Sequence, residues 1–382
     1  MTRTAQVARV TLWTDFSYPV YSFNIYLTGY DLQTINLYDV FLGTIGTRRF
    51  GTGAWVSPQG DLSETNPRLD LSDCGRIERE IPAFHLARLQ TAFTEGRVAA
   101  IPSTNLLACN NVGNVHERAV GYITIDVVGS CGSAMPTDPQ YFSEDLRWDN
   151  ALIGDYQQVS DSDNFAQGSP MVHIRAIGQT VRGRFVASLN DTFYRRFQTV
   201  ADPNADGRQP LPATFAARWI NGQGLRTSFK IWREGITGSA AACTDYPYNG
   251  RIPIAESVVF DEDENGEGLR DQGPGCNFPV CIGDDSVQLP NTALVHVDDR
   301  DVFPQRLSDD DVTGWVYLNL DQAESQPKPL QSWVIVSMRA EGRYSIDMDA
   351  AVLGNGCTGS IGASAFSGHG DPDVLPGPAQ FP

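Results

Sequence analysis

The chain carries few of the residues that advertise a reaction. Its five histidines, at 85, 116, 173, 296 and 369, never stand as a close pair, so no local His-based metal motif exists. Its seven cysteines, at 74, 109, 131, 243, 276, 281 and 357, include no C-x-x-C pair, which argues against a zinc site. Basic runs stop at pairs such as Arg48-Arg49 and Arg195-Arg196, and 46 acidic against 28 basic residues give a formal charge of −18. A surface of that sign repels a phosphate backbone, so nucleic acid is not an expected partner. No apolar run reaches membrane-spanning length, so membrane insertion is not expected. "MTRTAQVARV" also lacks the apolar stretch of an export signal. A P-loop is missing, as is a dinucleotide-binding glycine pattern between a strand and a helix.

What is present is turn-rich and strand-rich. Gly 36, Pro 23, few Lys and 41% hydrophobic residues, many of them β-branched or aromatic, favour sandwiches or barrels over helical bundles. At 382 residues there is room for two medium domains or one large β domain.

Period-two alternation places the strands. In "FNIYLTGYDLQTINLYDVF", Phe23, Ile25 and Leu27 share a face, and after a Gly/Asp turn the alternation resumes through Gln33, Ile35 and Leu37. This predicts a hairpin with one buried and one wet face. Ala8, Val10 and Leu12 repeat the pattern upstream, and Ile123, Ile125 and Val127 of "GYITIDVV" repeat it downstream. Between them Leu86, Leu89 and Phe93 fit one helical face, with Pro82 near its start and Gly96 at its stop, predicting one short helix. "CGSAMPTDPQYF" marks a boundary. Beyond it "PMVHIRAI", "TFAARWI", "TSFKIWREG", "ESVVFDE", "GWVYLNL", "SWVIVSM" and "YSIDMDAAV" read as strands joined by long loops. With no fixed repeat period, a sandwich fits better than a propeller. The tail from Gly359 is small, polar and Pro-rich.

Two acidic loops are the strongest local signals. "DPNADG" sets Asp202, Asn204 and Asp206 at alternate positions before Gly207, and "DEDENGEG" does the same with Asp261, Asp263 and Asn265 before Gly266. That spacing points several oxygens at one Ca²⁺, although the twelfth positions, Ala213 and Gln272, exclude EF-hands. The same residue types also favour solvated turns. Cysteines scattered through such a chain read as disulfide partners: Cys276 with Cys281 in "CNFPVC", and Cys74 with Cys109 around the helix. The odd total and the abrupt first strand suggest that Met1 lies inside a longer, exported reading frame. Ser169 and His173 in "AQGSPMVH" give no Ser/His hydrolase pattern. Paired carboxylates cannot be singled out among so many acids. Trp13, Trp219, Trp232, Trp315 and Trp333 fall in strands, either as core or as an exposed row able to stack on sugars or form an interface.

Taken together, "SFNIYLTGYDLQTINLYDVF", "GYITIDVV", "DNALIGDYQQV", "PMVHIRA", "FAARWI", "FKIWREG" and "SWVIVSM" resemble a group of uncharacterised exported bacterial β-rich proteins. The first stretch is similar to a strand–turn–strand element of Ig-like sandwich modules. The resemblance spans residues 5 to 357 and implies strands before Met1, but no activity. The expected fold is all-β. It comprises an Ig-like sandwich over 1–133, incomplete at its N-terminus and with one helical insertion, a larger loop-elaborated sandwich over 134–357, and a flexible tail over 358–382. The expected role is an extracellular or cell-surface binding or structural protein without catalysis, meeting an unknown protein or glycan partner. A carbohydrate-active enzyme or binding module, and a self-assembling surface subunit, are the alternatives.

Overall fold

The computed structural model describes residues 3–45, 64, 66–72, 81–100, 108–132, 134–136, 138, 141–147, 149, 151–160, 165–174, 180–181, 184–185, 211–222, 224–234, 252–262, 266–270, 288–299, 302–303, 312–321, 331–340 and 344–354. These residues build a mostly β protein of several antiparallel sheets, two α-helices and no closed barrel.

Strand β1 (Gln6–Thr14) is the centre of the first unit, flanked by β2 (Pro19–Leu27) and β5 (Gly121–Val128) in the order β2-β1-β5. All nine of its residues are buried. Ala8, Val10 and Leu12 pack on one side with Leu89, Ala92 and Phe93. Val7 and Trp13 pack on the other with Val128, Tyr141 and Leu146. The expected wet face is therefore covered. Arg9 and Thr11 made it look wet in the sequence, but Arg9 is fully buried because the chain beyond β5 folds back over it. That return is pinned by Gly129 N–H to Asp145 O (2.7 Å) and Arg147 N–H to Val127 O (2.8 Å). Among the described residues, the helix Ala83–Glu95 and a two-stranded sheet, Gly96–Val98 with Cys109–Val115, share the core on one side of the first sheet, and an Ig-like sandwich is not shown there.

The expected hairpin within 23–41 is also replaced. The antiparallel partner of β2 is β1, through a turn at Asp15–Tyr18, and β2 ends where the Asp31 carboxylate accepts the Thr28 N–H. Leu37–Phe41 then forms helix α1, with the Asn36 side chain accepting the Tyr38 N–H as its cap. Leu37, Val40 and Phe41 sit at i, i+3 and i+4, so helical spacing prevails over the apparent alternation.

The predicted helix is α2 (Ala83–Glu95), with Pro82 at its N-cap and Gly96 closing it at φ +62°. Only glycine fits there: a Cβ would lie 2.0 Å from the Gly113 carbonyl oxygen. Strands β3 (Gly96–Val98) and β4 (Cys109–Val115) pair beside α2.

Beyond the first unit come a hairpin, β6 (Asp155–Ser160) with β7 (Phe165–Pro170), and the two-residue pair β8 (Thr180–Val181) and β9 (Arg184–Phe185). The chain then builds two larger sheets from β10 (Thr214–Ile220), β11 (Leu225–Arg233), β13 (Glu256–Phe260), β14 (Gly266–Arg270), β16 (Thr292–His296), β17 (Thr313–Asn319), β18 (Ser332–Ala340), β19 (Tyr344–Asp349) and β20 (Ala351–Gly354). β12 (Ile252–Pro253) pairs separately with β15 (Gln288–Leu289). One sheet runs β14-β13-β17-β10-β20 and the other β16-β11-β18-β19. Alternate residues of both meet in one core, including Phe215, Trp219, Val316 and Leu318 from the first and Phe229, Ile231, Val334 and Val336 from the second. The run "YSIDMDAAV" is two strands, because Ala350 buries itself in this core as the chain turns from one sheet to the other. Within "PMVHIRAI" residues 171–174 are not a strand, and 175–177 lie outside the described residues.

Candidate functional site: buried carboxylates and the junction of the two units

The β1–β2 turn is "TDFSY". Ser17 adopts φ +59° within it, and the Asp15 side chain reaches β4. The Asp15 carboxylate is 2% exposed. It accepts the Asn114 N–H (3.1 Å), the Asn114 amide (2.8 Å) and His116 Nε2 (2.9 Å). Gly113 makes room, since a Cβ there would stand 2.7 Å from Asp15 Oδ1. The Ser17 hydroxyl accepts the Tyr122 hydroxyl (2.9 Å), and the Asp15 carbonyl accepts the Thr292 N–H (3.0 Å) at the start of β16. One turn thus touches β4, β5 and the larger unit together.

An aromatic column runs through the same place. The Trp13 ring stacks on Tyr122 (5.7 Å between centroids, 2° between planes), and Tyr122 meets the Trp232 ring edge-on at 6.0 Å. Trp232 is the direct cross-strand neighbour of Trp333. These rings join the units by contact rather than presenting a free row. Trp219 is buried in the core, and Trp315, at 48% exposed, faces solvent among the described tryptophans.

Three further carboxylates tie separate elements. Asp145 pairs with the fully buried Arg9, which also donates to Asn24 Oδ1 (2.9 Å), Ala134 O (2.9 Å) and Ser130 O (3.2 Å). The Tyr141 phenol donates to Asp126 (2.6 Å); burial first, and that carboxylate second, hold its ionisation well above the usual phenol range. The carboxylate of Asp347, on β19, is fully buried and pairs with Lys230 of β11 at 3.1 Å. At the far end of β11, burial lowers the Arg233 guanidinium to about 9, and it donates to the Leu320 carbonyl (2.9 Å).

His116 spends its Nε2 on Asp15 while Ser17 serves Tyr122, so no Ser–His relay forms in the turn. Ser169 is buried within β7 and His173 is exposed beyond it.

Of the calcium candidates, Asp261 follows β13 and is half-buried. Asp202, Asn204, Asp206, Asp263 and Asn265 lie outside the described residues. Among the described residues no group of three His, Cys, Asp or Glu side chains is placed to hold a metal ion. Cys74, Cys276 and Cys281 also lie outside them. Of the described cysteines, Cys109 is buried in the core on one side of the first sheet and Cys131 packs against the core on the other. No described helix is long and apolar enough to cross a membrane.

Asp15, Asp145 and Asp347 escaped the sequence reading because each is one acid among 46 acidic residues. A signal did exist: Arg9 and Asp15 stand within or at the end of "VARVTLWTD", where a charge in an apolar run must have a partner. No protein-family model, curated protein or solved structure matches the chain.

Proposed function

We propose that the protein is an extracellular or cell-surface binding or structural protein without catalysis of its own. The observation that carries this reading is the use made of its buried carboxylates. Asp15, Asp145 and Asp347 each serve a different set of donors from separate elements, which suits a rigid presenting scaffold. The sandwich character belongs to the larger unit, where two sheets share one core. Trp315 supports a contact surface for a glycan or protein, with Arg218 and Phe260 beside it on the neighbouring strands. The Ca²⁺ sites at 202–206 and 261–265 and the pairs Cys74–Cys109 and Cys276–Cys281 belong to the same proposal.

The test combines a turnover screen on polysaccharides with binding to immobilised glycans and extracellular proteins. The expected result is binding without turnover, weakened at least tenfold by Trp315→Ala at an unchanged urea midpoint. Turnover by the wild type that Asp15→Asn or Asp347→Asn abolishes without unfolding would replace this reading with a carbohydrate-active enzyme. Self-assembly is a second reading, favoured by edge strand β20. Its Val352 (51% exposed) and Leu353 (41%) lack the charges that usually guard an edge. Sedimentation that Val352→Lys shifts toward monomer supports it, and a wild-type monomer at high concentration removes it.

A further inference from the structure

The β6–β7 hairpin lies against β19 of the four-stranded sheet, yet none of its described residues belongs to an apolar core cluster. Its buried side chains among those described are polar, Gln167 and Ser169, while Val159 stands 65% exposed. Among the described residues the attachment is polar and converges on one group. Asp347 accepts from the Tyr156 hydroxyl (3.2 Å), from the Gln167 amide, from the Ser337 hydroxyl (2.5 Å) and from Lys230 (3.1 Å). The Gln167 amide also donates to Ser337 (2.8 Å), and Ser345 exchanges hydrogen bonds with the Ala166 backbone at 2.9 and 3.2 Å. Lys230 rests 5.8 Å from the Tyr156 ring centre.

Apolar burial is what couples an element to the global fold, and polar ties exchange readily with water. An element held only by such ties opens locally, below the cost of unfolding the core. An isolated two-stranded hairpin is marginal in water, so once detached it also loses its own ladder. We infer that β6–β7 is a detachable strap, fastened to the sheet at Asp347, that leaves as a unit while the two-sheet core stays folded. Its release uncovers a polar strip of Lys230, Ser337, Ser345 and Asp347. The inference stands whether or not the Trp315 surface binds a partner.

Hydrogen exchange on the intact chain tests it, with acetylation of Lys230 as an independent readout, since Lys230 is one of two lysines in the sequence. In the wild type, amides of 155–160 and 165–169 exchange at least 100-fold faster than those of β11 and β18, at rates insensitive to low denaturant. Asp347→Asn accelerates hairpin exchange and Lys230 acetylation about tenfold more and leaves β10 and β17 unchanged. Gln167→Ala, which spares the Lys230–Asp347 pair, accelerates hairpin exchange alone. Hairpin amides that exchange together with β11 and β18 in one cooperative step would overturn the inference. So would hairpin exchange that neither variant changes.

Discussion

Replacing Arg9 with methionine removes a cation that is fully buried at the centre of the first sheet. The native guanidinium bonds Asp145, Asn24 and two backbone carbonyls, at Ala134 and Ser130. Methionine fills much of the same volume, so the loss is chiefly electrostatic. Asp145 is left with the Ser130 hydroxyl (2.9 Å) and no counter-charge. Removing one partner of a buried ion pair costs about 3–5 kcal/mol. For a unit of this size each kcal/mol moves the melting temperature by roughly 2–4 °C, so a fall on the order of 10 °C is expected. Urea unfolding followed by near-ultraviolet circular dichroism is the assay, because Trp13 packs on the same face. The double variant Arg9→Met/Asp145→Leu should recover at least half of the loss, since it buries no unpaired charge. Arg9→Met within about 1 kcal/mol of wild type would refute the reasoning. So would a double variant that is no more stable than the single.

Other outcomes follow from the same contacts. The Tyr141 phenol ionises at higher pH in the folded than in the unfolded chain. Its stabilising contribution is therefore complete below pH 10 and lost as pH rises above it. Tyr141→Phe should flatten that alkaline loss in urea midpoints measured from pH 8 to 11, and an unchanged slope would reject the assignment. A Cβ at Gly121 would stand 2.1 Å from the Trp13 carbonyl oxygen, so Gly121→Ala should destabilise the first unit by about 1–3 kcal/mol in the same assay. If the acidic loops hold Ca²⁺, melting curves with calcium and with chelator differ by several degrees; superimposable curves remove the ion from the account.

The strands and α2 were legible because their signals are local. Alternation marks β10, β11, β17 and β18, and Pro82 with Gly96 brackets α2. Failures arose where a partner distant in sequence decides the outcome. Arg9 and Thr11 read as a solvent face, and only the return of residues 129–147 makes them interior. Leu37–Phe41 satisfied both periods, and the Asn36 cap settled it as a helix. The run at 344–353 changes sheets at Ala350, which alternation cannot signal because both halves alternate. The carboxylate ties were illegible for the same reason: Asp15 meets its donors about 100 positions away, at Asn114 and His116.

The Asp15 turn gives the most direct test, because it joins β4, β5 and the larger unit at once. Asp15→Asn keeps the shape and removes the charge. The turn that carries the Asp15 carbonyl to Thr292 then loses its charged hold on β4, so unfolding should separate into two transitions, with any binding measured at the Trp315 face unchanged. A single unshifted transition, accompanied by loss of an enzymatic turnover present in the wild type, would contradict the account.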